Sequence, residues 1–176
     1  MDTTGRESNS AENMRLVMGS LAIFDAELAG DQELLARLLE VSEITEWPPI
    51  DGEHDVDAVG FFRQTLEGDP SIAPWLAYYV CVNDVLVGSA GFMGPPEDST
   101  AEIGYSICTH SRRKGIATAT VALLMQMAKR EKVRTLIANV RNDNAASIGV
   151  LQKVGFSVDD ADHETVRFTL DLSPDS

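Results

Sequence analysis

The chain has 176 residues and a mass of 19.1 kDa, a size suited to one hydrophobic core rather than two. Hydrophobic residues at 44% and charged residues at 24% describe a globular composition, and no apolar run approaches the roughly 20 residues of a membrane span. Twenty-eight acidic residues against 14 basic ones give a formal net charge of -14; such a surface repels nucleic-acid phosphates and anionic membranes and accommodates a cationic partner such as an amine.

Residues 1–12 are polar and acidic and are expected to form a disordered tail ahead of one domain over 13–174. They contain neither a basic n-region nor an apolar h-region, so no secretory signal is expected and the cytoplasm is the predicted location. Cys81 and Cys108 fall in strand-like stretches; two such cysteines make neither a disulfide framework nor a metal site, and free thiols fit a reducing compartment. Two helical patterns follow the tail, at Ala22–Ala29 and at Gln32–Val41. In the second, Leu34, Leu35, Leu38 and Leu39 recur at helix spacing behind Asp31, a good N-cap. Trp47-Pro48-Pro49 closes this stretch, and a third helix is predicted over Val56–Glu67.

From Trp75 the pattern becomes extended. Leu76–Val82 and Val85–Phe92 are rich in aliphatic and aromatic residues and flank Asn83-Asp84, a tight hairpin turn. A third strand is expected over Ala101–Cys108, with Gly104 marking a bulge or a close backbone approach. A long helix at Ile116–Arg130, a short apolar strand at Thr135–Val140 and a helix at Ala145–Val154 come next. Asn144 caps that last helix and Gly155 stops it. Phe156–Val158 and Thr165–Leu172 form a closing strand pair around the acidic loop 159–163. The order implies an antiparallel meander joined to a parallel strand–helix–strand crossover, whose ligand site lies beyond the carboxyl end of its first strand.

That position holds Thr109-His110-Ser111-Arg112-Arg113-Lys114-Gly115-Ile116-Ala117-Thr118. Consecutive basic residues on an acidic chain, followed by Gly-x-Ala at a helix start, describe an anion site. First-turn N–H groups are unpaired there, the helix end carries partial positive charge, Gly115 permits close approach and Ala117 does not block it. The stretch lacks the Gly-Lys-Ser/Thr ending of a P-loop and the Gly-x-Gly-x-x-Gly of a dinucleotide turn, which argues against nucleotide hydrolysis and hydride transfer.

Arg112-x-x-Gly115-x-Ala117 resembles the Arg/Gln-x-x-Gly-x-Gly/Ala acyl-CoA motif of the GNAT superfamily of N-acetyltransferases. Glu102-Ile103-Gly104-Tyr105-Ser106-Ile107, Asn144-Ala145-Ala146-Ser147 and Val150-Leu151-Gln152-Lys153-Val154-Gly155-Phe156 are similar to the branch of the ribosomal-protein N-terminal acetyltransferases (RimJ/RimL-like). The likeness spans about residues 14–172 and is strongest over 101–156. It implies the GNAT fold: an α/β (α+β) arrangement with a mixed, mostly antiparallel sheet of about six to seven strands, a central parallel strand–helix–strand unit, and flanking helices.

It implies acetyl-CoA as co-substrate, no metal, and an amine acceptor, while leaving a homodimer open. The loop amides, here of Arg113, Lys114, Gly115, Ile116, Ala117 and Thr118, would take the CoA diphosphate, with Arg112 closing the loop. The pantetheine arm would pair with backbone at Ile107, and Asn144 would cap its helix or also contact that arm. An alkylamine of pKa about 10.4 is neutral to about one part in 2,500 at pH 7, a cost of roughly 4.6 kcal/mol, so a general base is useful. Glu102 is the candidate, with Glu97 and Asp98 as loop alternatives. The tyrosine that many relatives carry as acid in the last helix is replaced by Leu151; the resemblance then points to Ser147 as donor to the departing thiolate. A backbone N–H near Ile107 or Cys108 would face the oxyanion. His110 is read as loop surface, His54 and His163 as isolated exposed residues, and Trp47 and Trp75 as packing residues. The acidic residues Glu43, Glu46, Asp51, Glu53, Asp55 and Asp57 would draw a cationic amine to the region 42–74. A non-catalytic module that binds acyl-CoA and reports its level is the rival reading.

Overall fold

A computed structural model describes residues 13–50 and 54–173; the tail expected over 1–12 lies outside the described residues, as do Asp51 and Glu53. Seven strands form one sheet in the order β1-β2-β3-β4-β5-β7-β6. They are β1 (Met14–Met18), β2 (Ala77–Val82), β3 (Val85–Phe92), β4 (Thr100–Ile107), β5 (Thr135–Arg141), β6 (Ser157–Ala161) and β7 (Thr165–Asp171). Only β4 and β5 run parallel, and helix α4 (Ile116–Arg130) connects them. Helices α1 (Leu21–Leu28), α2 (Gln32–Leu39) and α3 (Val56–Gly68) precede β2, and α5 (Ala145–Lys153) follows β5.

Side-chain alternation along the strands makes two cores, one on each face of the sheet. On one face Tyr78, Val80, Phe92, Ile103, Leu136 and Phe168 pack with Val121 and Leu124 of α4 and Leu151 of α5. On the other, Ala77, Tyr79, Cys81 and Leu86 pack with Phe24 of α1, Leu35 and Leu39 of α2, and Val59 and Leu66 of α3. The first three helices thus cover the β2 side of that face. Beyond β4 it opens, and Asn139 of β5 is exposed.

Local chemistry accounts for the element ends. Ser20, Asp31, Asp55 and Asn144 each accept a backbone N–H from the first turn of the following helix. Asn83 and Asp84 both hold positive φ, at 49° and 60°, the conformation a two-residue hairpin needs. Strand β1 departs from the sequence expectation, which placed no strand there. It is an edge strand paired with β2 from Met14↔Val82 to Met18↔Tyr78, and its short, half-covered pattern carries little alternation. Strand β6 also runs on through Asp159, Asp160 and Ala161, where a loop was expected; as an exposed outer edge it tolerates acidic side chains.

Gly104 is a further correction. It does not bulge against β3, because β3 and β4 stay in register from Phe92↔Ile103 through Gly91↔Gly104 to Gly88↔Ile107. The irregularity lies between β2 and β3, at Val80/Cys81. What opens the sheet is the parting of β4 from β5: their parallel ladder pairs Thr100↔Thr135, Ala101↔Leu136 and Glu102↔Ile137 and goes no further.

Candidate active site

The open seam fixes which backbone groups of β4 are available. Met93 N–H donates to the Glu102 carbonyl and Cys108 N–H to the Val87 carbonyl, so even-numbered residues of β4 hydrogen-bond to β3. The odd-numbered ones turn their N–H and C=O groups toward β5, and beyond the last bridge at Glu102↔Ile137 those of Tyr105 and Ile107 face the side that β5 has left. The Ile107 carbonyl is taken by Arg112, whose Nε donates to it at 2.9 Å. The Ile107 N–H and the Tyr105 amide and carbonyl have no strand partner among the described residues.

Arg112 also donates from Nη2 to the Ile50 carbonyl at 3.1 Å, tying the loop after β4 to the segment after α2. Two more contacts strengthen that tie: Cys108 Sγ–H donates to the Glu46 carbonyl, and the Glu46 carboxylate accepts from the His110 backbone N–H and approaches its Nδ1 at 2.9 Å. These hydrogen bonds, the backbone one first, hold the Glu46 carboxyl down at about 2. Burial, then the nearby Glu46 charge, pushes the Cys108 thiol up to about 11, which leaves it a poor nucleophile. His110 is exposed, as expected for loop surface.

Past this tie the chain turns through Arg113 at φ 59° and Gly115 at φ 75°. Gly115 is the N-cap of α4, and no side chain caps that helix, unlike α1, α2, α3 and α5 among the described helices. The first-turn N–H groups of Ile116, Ala117 and Thr118 therefore have no internal acceptor. Arg113 and Lys114 are exposed beside them and have no carboxylate partner among the described residues. The geometry is that of an anion cradle at the mouth of the seam.

The far wall of the seam is the start of α5. The Asn144 side-chain oxygen accepts the Ser147 N–H at 3.1 Å, and the Tyr105 hydroxyl donates to the Ser147 carbonyl at 3.3 Å. These bonds use Ser147 backbone; its hydroxyl makes no hydrogen bond to a described residue. Burial pushes the Tyr105 phenol up to about 12, so it stays protonated as a donor. Leu151 is fully buried in the core one turn on.

On the opposite face of β4, Glu102, Gly104 and Ser106 stand in line about 7 Å apart. Asn139 Nδ2 donates to Glu102 Oε1 at 2.9 Å, so the partner of this carboxylate is an amide and its face is the uncovered one. Ser89 and Ser106 are cross-strand partners, as are Gly91 and Gly104. Together with His54 and Phe62 these four line a cleft over the sheet. A Cβ on Gly91 would stand 2.2 Å from the Leu76 carbonyl oxygen, so only glycine fits there.

His54 is not the exposed residue expected: it is 5% exposed and held by Glu27 of α1. Its Nε2 lies 3.0 Å from Glu27 Oε1, while Trp47 Nε1 and the Tyr79 hydroxyl donate to the same carboxylate. Burial works to raise the Glu27 carboxyl, yet the bonds from His54, Tyr79 and Trp47 outweigh it and hold it below the usual carboxylate range. Sequence spacing gave no sign of this cluster, because its members lie on four separate segments. Of the acidic residues expected to draw an amine, Glu46 is engaged by His110 and Asp55 caps α3. Glu97 and Asp98 stay in the turn before β4. No group of His, Cys, Asp and Glu that could hold a metal occurs among the described residues.

Comparison with known proteins shows the family and the fold. A model of the acetyltransferase (GNAT) domain matches residues 24–157. The uncharacterized N-acetyltransferase YjdG of Bacillus subtilis (strain 168) is 29% identical over 147 residues, covering 81% of this chain and 85% of that protein. The fold is shared with the microcin C7 self-immunity acetyltransferase MccE, solved in complex with acetyl-CoA and AMP (TM-score 0.64, 16% identity, 92% of this chain and 93% of that one). It is shared also with Mycobacterium smegmatis RimJ in complex with CoA-disulfide (TM-score 0.62, 20% identity, 90% and 82%). This chain belongs to the GNAT acetyltransferase family.

Proposed function

We propose that the chain transfers an acetyl group from acetyl-CoA to a primary amine by direct attack. The observation that carries this reading is the pairing of an uncapped α4 with an open β4/β5 seam: one supplies free amides for a diphosphate, the other an unpaired strand edge for an amide-bearing arm. In this reading the amides from Arg113 to Thr118 take the diphosphate, with the side chains of Arg113 and Lys114 adding charge. Backbone at Tyr105 and Ile107 takes the pantetheine arm, which directs the thioester toward the first turn of α5.

The reacting carbonyl then lies between two differently equipped faces. The Ser147 hydroxyl stands on the α5 side, free to donate to the sulfur as the C–S bond breaks. Glu102 stands on the open face and, through a water, takes a proton from the attacking nitrogen. The net charge of -14 favours the approach of a cationic amine, whether a small molecule or a protein N-terminus.

A thiol-release assay with acetyl-CoA and a panel of primary amines tests the reading. Glu102→Gln is expected to lower kcat by about 100-fold, the lower end for a general base, with acetyl-CoA affinity unchanged in calorimetry. Tight acetyl-CoA binding with no turnover of any amine would replace the transferase by a binding module.

A further inference from the structure

We propose that His54, oriented by Glu27, is a second proton acceptor of this site and strips the proton from an acceptor amine that arrives as an ammonium ion. The inference rests on the transferase reading and extends it to a residue on the opposite wall of the acceptor cleft.

Three observations carry it. First, His54 lines the cleft with Ser89, Gly91, Gly104 and Ser106, the face of β4 on which Glu102 also stands. Second, its Nε2 faces both oxygens of the Glu27 carboxylate, at 3.0 and 3.2 Å, which assigns the ring proton to Nε2 and leaves a basic lone pair on Nδ1. Nδ1 makes no hydrogen bond to a described residue, and no described buried side-chain nitrogen or oxygen is left orphaned, so Nδ1 is not sealed in by the fold. Third, the carboxylate is over-determined for a structural pin. Trp47, Tyr79 and His54 converge on it from the segment after α2, from β2 and from the turn before α3, and Trp47, Tyr79 and Phe62 pack around the His54 ring. A part-buried carboxylate that fixes the tautomer of an imidazole lining a cleft is the arrangement of a general base.

An alkylammonium must lose two protons to become an amide, and the site then has an acceptor for each. His54 Nδ1 takes the first as the ion enters, and the imidazolium is balanced by the ionised Glu27. The freed nitrogen lone pair forms the C–N bond to the acetyl carbon, and Glu102, through water, takes the second proton from the adduct. The C–S bond breaks with its electron pair on sulfur, which is protonated to the CoA thiol. A second cleft, lined by Glu27, Asp31, Trp47 and Asp55, also has His54 in its wall and gives the first proton a way out to solvent.

The test compares two amines of one shape, ethylamine, which is protonated at neutral pH, and 2,2,2-trifluoroethylamine, which is neutral there. His54→Gln keeps a donor toward Glu27 and is expected to lower kcat/KM for ethylamine about 100-fold, while trifluoroethylamine stays within about threefold of wild type. Glu102→Gln, by contrast, is expected to slow both. Equal losses on the two amines in His54→Gln, or no loss on either, would reduce His54 to packing. Glu27→Gln serves as the second variant and should follow His54→Gln in direction. If both variants lose acetyl-CoA binding in calorimetry, the pair is a strut and the inference fails. A wild-type protein that turns over neither probe but acetylates other amines of the panel overturns this inference alone, whereas silence across the panel overturns the transferase reading itself.

Discussion

Glu27 joins three segments through one carboxylate, and its depressed pKa is therefore a statement about stability. The folded protein holds this group below the usual 4.5, so its contribution is fully present above that pH and is lost as pH falls through the folded value. The thermal midpoint of the wild type should fall with acidification below about pH 4.5. Glu27→Gln should start lower at neutral pH, by about 1–3 kcal/mol for buried donors left poorly matched, and fall less steeply in acid. A variant with the same acid slope as wild type would mean that the unfolding is driven from elsewhere. At this scale the sequence showed chemistry that is local. Asn144 and Gly115 could be read from neighbours in the chain, and the departure at Leu151 from the family resemblance. Leu151 is fully buried in the core and has no donor to offer. His54 was misread because its partners Glu27 and Tyr79 lie 27 and 25 residues away, and nothing near it in sequence signals a buried imidazole.

Helix α4 differs from the other described α-helices in starting at a glycine with φ 75° rather than at a capping side chain. A side chain at that φ costs about 1–2 kcal/mol, and a β-branched one suffers most. Gly115→Val should accordingly lower stability by about that amount and weaken acetyl-CoA more than tenfold, because the amides after it shift; an affinity equal to wild type would show that they are not the diphosphate site. The helices and the central strands were legible because each carries a clear period and a cap or turn at its ends. The two outer strands were not. Strand β1 buries only part of one face and finds β2 some 60 residues away, while β6 spends its exposed positions on Asp159 and Asp160. Gly104 was read as a bulge or a close backbone approach; there is no bulge against β3, and its setting is a strand that keeps register with β3 while β5 departs. A parting of that kind depends on the pairing of distant segments and leaves no local mark.

For the whole molecule, the sheet face that carries Glu102 has one covered and one open side, and the boundary runs along β4. Helices α1, α2 and α3 bring Glu27 and His54 to the covered side, and Glu102 with Asn139 occupies the open one. The segment at Glu46–Ile50 ties this layer to the loop before α4 through Cys108, His110 and Arg112, so the wall proposed for the acceptor and the loop proposed for the cofactor are one connected structure. All of these roles depend on acetyl-CoA lying in the β4/β5 seam with its diphosphate at Arg113 to Thr118. Isothermal calorimetry of the wild-type protein with acetyl-CoA at moderate salt measures this most directly. The account predicts saturable uptake of one acetyl-CoA per chain; a folded protein that takes up neither acetyl-CoA nor CoA would contradict it.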